Sequence, residues 1–217
     1  MAMLKIQDVH KTFNPGTINE KKALNGVNLV LNEGDFVTVI GGNGAGKSTV
    51  LNMIAGVYPV DSGSIMIDDI DVTKLPEHKR AKYLGRVFQD PMNGTAADMN
   101  IEENLALAAR RGKQRFLGWG ITAKEREEYK ERLGSLGLGL EDRMTSKVGL
   151  LSGGQRQAVT LLMASLRKPK LLLLDEHTAA LDPKTAKKVL ELTEEIVAKD
   201  NPVSYTHLRA HETRSNL

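Results

Sequence analysis

Cysteine is missing from all 217 residues. That excludes a disulfide scaffold and thiolate metal sites, and it fits a reducing compartment. Long apolar runs are missing too. The longest, Leu171 to Leu174 with its flanks, is far short of the roughly 20 residues that a spanning helix needs. "MAMLKIQDVHK" at the N-terminus has no apolar stretch of the kind an export signal carries. Neither sign of charge dominates: 30 Lys and Arg face 27 Asp and Glu, for a net of +3. Even with a pI near 9.0, that balance is a weak pull toward anionic partners. One basic run, "RRGKQR" from Arg110 to Arg115, could meet lipid headgroups or RNA but fits a solvated helix end better. No internal repeat, low-complexity stretch or N-K-x-D guanine-reading motif is present.

The composition, 41% hydrophobic and 26% charged, suits one globular domain with room for a subdomain. Apolar residues alternate at Leu4 and Ile6 and again at Val27, Leu29 and Leu31, which predicts half-buried antiparallel strands, and "NEGD" then makes a turn. "FVTVI" is a continuous apolar run and predicts a strand buried on both faces. It leads into "GGNGAGKST" and then the helical "VLNMIAGV". "SGSIMIDD" reads as a further hairpin strand, "GRVFQD" as a core strand and "KLLLLDE" as a buried one. From about Pro91 to Leu166 the chain is mostly helical, with capping boxes expected at Asn100/Glu103 and Thr122/Glu125 and a cap at Ser152. Asp182 and Pro183 open an amphipathic helix with Val189, Leu190, Thr193, Ile196 and Val197 on one face. Strands alternating with helices give an α/β sheet with a helical insertion.

Gly41 to Ser48 fits G-x-x-x-x-G-K-S, placed between a strand and a helix. Glycines at that point let backbone N–H groups turn inward around phosphates, and the helix start adds partial positive charge. Gly41, Gly42, Asn43, Gly44, Ala45, Gly46, Lys47, Ser48 and Thr49 are therefore the predicted ATP-binding loop. Lys47 would reach the β- and γ-phosphates, and Ser48 would hold Mg²⁺. Asp175 ends a strand and is a second Mg²⁺ candidate, with Glu176 next in line to orient or deprotonate a water. "LSGGQ", Leu151 to Gln155, is another glycine-rich turn at a helix start. It is either an ordinary serine cap or a second anion cradle. Since one nucleotide needs one cradle, the second would serve a nucleotide held by another subunit.

The ordered set "GGNGAGKST", "VFQD", "LLSGGQRQ", "LLLLDE" and "AALD" resembles the ATP-binding subunits of ABC transporters, over residues 3 to about 201. The resemblance implies a P-loop NTPase (RecA-like) core with an antiparallel β subdomain and an inserted α-helical subdomain over about 91–166. It implies ATP and Mg²⁺ as cofactors, and two subunits sandwiching two ATP molecules. Ser152, Gly153, Gly154, Gln155 and Asp182 would then reach a partner's nucleotide. Gln89 resembles the glutamine that senses Mg²⁺ and nucleotide, and Phe13 the aromatic that stacks on adenine, although one aromatic after a strand is more often packing. The implied partners are a second ATP-binding subunit, transmembrane permease subunits meeting "PMNGTAADMN", and an extracytoplasmic solute-binding protein, with no nucleic acid. The implied place is the cytoplasmic face of the membrane. "NPGTINEKKALNGV" and "DEHTAALDPKT" resemble a bacterial importer subgroup for amino-acid-type solutes. The alternative is a soluble ABC-type ATPase acting on ribosomes, DNA or cofactor assembly. The tandem cassettes and long coiled coils of such relatives are not seen here.

Gly42 and His177 stand where many relatives carry proline, and neither change removes a catalytic group. The tail departs further. The family places a strand ending in a phosphate-contacting histidine between the strands that carry Lys47 and Asp175. A strand covered on both faces should read as continuous Val, Leu or Ile. "NPVSYTH" offers Ser204 and Thr206 instead, at a cost of about 1–3 kcal/mol for each polar group left unpaired. "VSYTHLRAHET" resembles the frame translation of a transposase adapter used in sequencing libraries. The expectation is a C-terminally truncated domain over 1–201 with a non-native tail over 202–217, in which His207 is coincidental and ATPase turnover is lost.

Overall fold

The computed structural model describes residues 2–113, 120–175, 181, 183–200 and 203–208, the side chains of 184, 196–200 and 203–208 excepted. In chain order the elements are β1 (Ala2–Phe13), β2 (Lys21–Asn32), β3 (Phe36–Ile40), α1 (Lys47–Ala55), β4 (Ser62–Ile67), β5 (Ile70–Asp71), the single turn α2 (Glu77–Arg80) and β6 (Leu84–Val87). There follow α3 (Ile101–Ala109), α4 (Ala123–Ser135), α5 (Gly153–Ser165), β7 (Leu171–Asp175), α6 (Pro183–Asp200) and β8 (Val203–Leu208). They form two compact units. One comprises Met1–Leu84, Lys170–Glu176 and Asn201–Leu217, the other Gly85–Pro169 and His177–Asp200.

In the first unit an antiparallel sheet runs in the order β2-β1-β4-β5. The alternation in the sequence sets its register: Leu4 lies opposite Leu31 and Ile67, and Ile6 opposite Leu29 and Ile65. One face of that sheet shares a core with Leu51, Met53 and Ile54 of α1 and Leu171 and Leu173 of β7. Each such side chain withdrawn from water contributes roughly 1.5–3 kcal/mol. The same unit holds three parallel strands in the order β3-β8-β7. Parallel pairing brings their C-terminal ends to one edge.

Two expectations are corrected here. β3 is not buried on both faces: exposure alternates along it, with Phe36 at 52% and Ile40 at 55%. Only Val37 and Val39 pack against the core, because β3 has a strand neighbour on one side and a covering layer on one face. Residues 203–208, expected to be unfit for the central position, form β8 between β3 and β7, with His207 level with both Val39 and Asp175. Ladder hydrogen bonds come from backbone groups, so Ser204 and Thr206 do not prevent pairing, and the β-branched and aromatic residues of "VSYT" favour extended backbone.

Arg80 supplies a cross-brace that the sequence did not announce. It is 1% exposed, and its guanidinium donates to the carbonyls of Leu75 (2.7 Å), Met53 (2.7 Å), Ile54 (3.0 Å) and Thr73 (3.0 Å). Met53 and Ile54 lie in the last turn of α1, where carbonyls lack intrahelical partners and the helix dipole favours a cation.

In the second unit α3, α4 and α6 pack around α5. The capping boxes at Asn100/Glu103 and Thr122/Glu125 form as expected. On α6 the buried residues are Val189, Leu192 and Thr193, so Leu192 takes the place assigned to Leu190, while the side chains of Ile196 and Val197 fall outside the described set. Replacing Arg80 by Met should lower stability by about 3 kcal/mol or more, since four carbonyls lose a charged donor. Urea unfolding of the two proteins checks this.

Candidate functional site

The phosphate-loop residues leave β3 at Gly41 and enter α1 at Lys47. Gly46 caps that helix in left-handed conformation, φ 87° and ψ 2°. A Cβ there would lie 2.7 Å from the Ala23 carbonyl oxygen and 2.9 Å from Leu24 Cδ2, so both the backbone angle and the space demand glycine. Gly44 is also left-handed, φ 80°. The turn closes with the Ala45 amide donating to the Gly42 carbonyl at 3.2 Å.

Lys47, 8% exposed, folds back over its own loop and donates to the carbonyls of Gly41 (2.6 Å) and Gly42 (3.0 Å). Those oxygens hold the ammonium where phosphate oxygens can replace them. Gly42, Asn43, Gly44, Ala45 and Ser48 are exposed around it, with Thr49 half-buried. Asp175 ends β7 in the same row as Val39, with β8 between, so the two Cα atoms are two strand spacings apart, about 10 Å. The loop and the carboxylate therefore share the C-terminal edge of the parallel strands, where open α/β sheets bind ligands. The Ser48 hydroxyl and the Asp175 carboxylate are hard oxygen donors that fit Mg²⁺, an ion that keeps much of its shell as water and phosphate. Glu176, His177 and Asp182 lie outside the described residues.

Phe13 ends β1, half-buried, with its ring edge-to-face against Tyr58 at 5.2 Å and the Lys11 ammonium 5.7 Å from its centroid. Asp61 fixes that corner, accepting from Lys11 Nζ at 2.7 Å and the Thr12 amide at 2.6 Å. Lys21, directly across the strand pair from Phe13, brings its ammonium within 3.6 Å of where a Gly44 side chain would start. Asp61 and Lys21 were not among the predicted site residues. No motif marks them, because their relation to the loop is created by strand register.

The second unit carries the other glycine turn. Ser152 caps α5: its Oγ accepts from the Gln155 amide at 3.3 Å, and Gln155 Oε1 accepts from the Ser152 amide at 3.2 Å. The cap reading of "LSGGQ" thus holds. Capping leaves the Gly153 and Gly154 amides, in the first turn, without helical acceptors, so it does not compete with an anion-facing role. Gly154 also has a packing reason to be glycine, since a Cβ there would come within 2.0 Å of Thr185 Cγ2 on α6. Gln89 is exposed in a bend after β6. The segment that follows it is pinned by Asn104, which is fully buried, donates to the Ala96 (3.1 Å) and Asn100 (3.0 Å) carbonyls and accepts from the Ala96 amide at 2.8 Å.

A parallel strand that runs through a glycine loop into a helix, with a carboxylate ending a nearby strand, defines a P-loop nucleotide-binding core. A family model described as "ABC transporter" matches residues 24–179. Over 204 residues the chain is 44% identical to a tyrosine transport ATP-binding protein of Clostridioides difficile (strain R20291), covering 92% of this chain and 79% of that one. It is 38% identical over 198 residues to the xylose/arabinose import ATP-binding protein XylG of Sulfolobus acidocaldarius, covering 91% and 74%. Among solved structures, a dimeric bacterial ABC transporter cassette matches with a TM-score of 0.80 at 32% identity, covering 94% of this chain and 87% of that one. A dimeric ATP-binding cassette in a post-hydrolysis state with ADP and Pi matches with 0.79 at 30%, with the same coverage. The chain belongs to the ATP-binding subunits of ABC transporters, a family of ATPases that hydrolyse ATP. Among the described residues no helix is long and apolar enough to cross a membrane.

The Asp61 carboxyl is held below the usual carboxylate range, first by the Lys11 hydrogen bond and then by the Thr12 amide. Because its pKa is lower folded than unfolded, its contribution is complete above about pH 4 and fades as pH falls through the folded value. Asp61→Asn should cost about 0.5–1 kcal/mol at neutral pH, small because the carboxylate is partly solvated. The gap between variant and parent should narrow in denaturation curves as pH falls from about 4 through the lower folded value.

Proposed function

We propose that the chain is the ATP-hydrolysing subunit of an importer and works as an ATP sandwich between two copies. The observation that supports this most directly is the pairing, in one sequence, of two helix starts built to face anions by different means: a lysine-bearing glycine loop before α1 and a serine-capped glycine turn before α5. In this reading Lys47 neutralises the β- and γ-phosphates, the amides of Gly44 to Ser48 surround them, and Phe13 stacks on the base. Ser48, Gln89 and Asp175 would hold Mg²⁺, which supplies further charge neutralisation on the phosphates. Glu176 orients or deprotonates the attacking water. Across the interface, Ser152 keeps its O–H to donate while its oxygen stays in the cap. With the Gly153 and Gly154 amides it meets the partner copy's γ-phosphate, alongside Gln155 and Asp182.

The working assembly would include permease subunits, docked near residues 91–100, and an extracytoplasmic solute-binding protein, with this subunit on the cytoplasmic face. An amino-acid-type solute agrees with the tyrosine transport protein among the relatives. A Glu176→Gln variant with MgATP should accumulate as a dimer, measured by light scattering. A species that stays monomeric while saturated with nucleotide would overturn the reading.

A further inference from the structure

Within the second unit, Arg156 is the fourth residue of α5, close to the positive end of the helix dipole, where a cation is poorly placed unless something else holds it. What holds it is a ring of acceptors on the chain entering the helix. Nε donates to the Val148 carbonyl (3.3 Å), and Nη2 donates to those of Gly149 (2.9 Å) and Leu151 (3.1 Å). Nη1 rests against Met92 Sδ. Val148 to Leu150 is the 3₁₀ turn that delivers Ser152 to its cap. Met92 belongs to the turn Pro91–Gly94, just after Gln89. The same two segments are stitched by backbone as well, with the Gly149 amide donating to Ala97 (2.9 Å) and the Val148 amide to Met99 (3.1 Å).

We infer that Arg156 is a positioning residue: its fork fixes the turn before α5, and so the Ser152–Gly154 donors, against the first turn of that helix, while the Gly149 and Val148 amides tie the same turn to the segment that follows Gln89. A displacement of residues 91–99 is then carried to the anion-facing start of α5 rather than absorbed by a loose loop. The inference rests on the sandwich reading for its consequence, though the clamp itself can be tested separately. Lysine keeps the charge but cannot fork across three carbonyls, so R156K separates clamping from charge.

The experiment takes the full chain in the Glu176→Gln background and compares R156K and R156Q with the parent. ATP-driven pairing should weaken by about tenfold in both variants, while affinity of a single copy for MgATP stays within about twofold. Amide hydrogen exchange at Leu151 and Gln155 should rise about tenfold in folded R156K, with the later turns of α5 unchanged. Parent-like pairing in R156K would overturn the inference, as would unchanged exchange at those two amides. Should R156Q fail to fold, R156K still decides. Should the parent itself fail to pair, the sandwich reading falls, and exchange alone settles the clamp.

Discussion

Left-handed backbone at Gly46 is the constraint on which the first unit's site depends. With φ at 87° and the Ala23 carbonyl 2.7 Å from any Cβ, only glycine lets the chain leave β3 and turn directly into α1. From that turn follow the exposure of Ser48 and the return of Lys47 over Gly41 and Gly42. The other end of α1 is anchored with equal care, since the buried Arg80 guanidinium takes its terminal carbonyls. A helix gripped at its C-terminus and fed through a fixed glycine holds its N-terminal dipole in one direction.

The second unit builds its glycine-bearing helix start by another route. It has no lysine in its glycine turn and relies on a serine–glutamine capping box, with an arginine folded back to hold the approach. Gly153 is exposed, while Gly154 is buried and small because Thr185 is there. The two glycines thus divide exposure and packing between them.

Features carried by near neighbours in sequence were legible in advance. The capping boxes at residues 100 and 122 are spacings of three, Ser152 reads as a cap, the alternation at Leu4, Ile6, Leu29 and Leu31 sets the register, and the phosphate loop declares itself between strand and helix. Features made by long-range carbonyl acceptors were not. Arg80 reaches Met53 from 27 residues away, and backbone oxygens leave no trace in the residue names around them. Arg156 and Asn104 are as silent in the sequence, although their carbonyl acceptors lie within eight residues. β3 misled because an apolar run cannot say whether a second layer covers it. β8 misled because polar side chains say little about whether backbone groups will pair. The residues proposed for water activation and for crossing between copies, Glu176 and Asp182, fall outside what the structure describes.

The central claim is that the loop from Gly41 to Thr49 binds a nucleotide by its terminal phosphates, held by oriented amides and one buried lysine. Calorimetric titration of the chain with ATP, ADP and AMP in the presence of Mg²⁺ tests it most directly. Affinity should fall stepwise as phosphates are removed, with AMP bound at least about tenfold more weakly than ATP, or roughly 1.4 kcal/mol. Equal binding of AMP and ATP would place the recognition on the base and sugar, and would contradict the account.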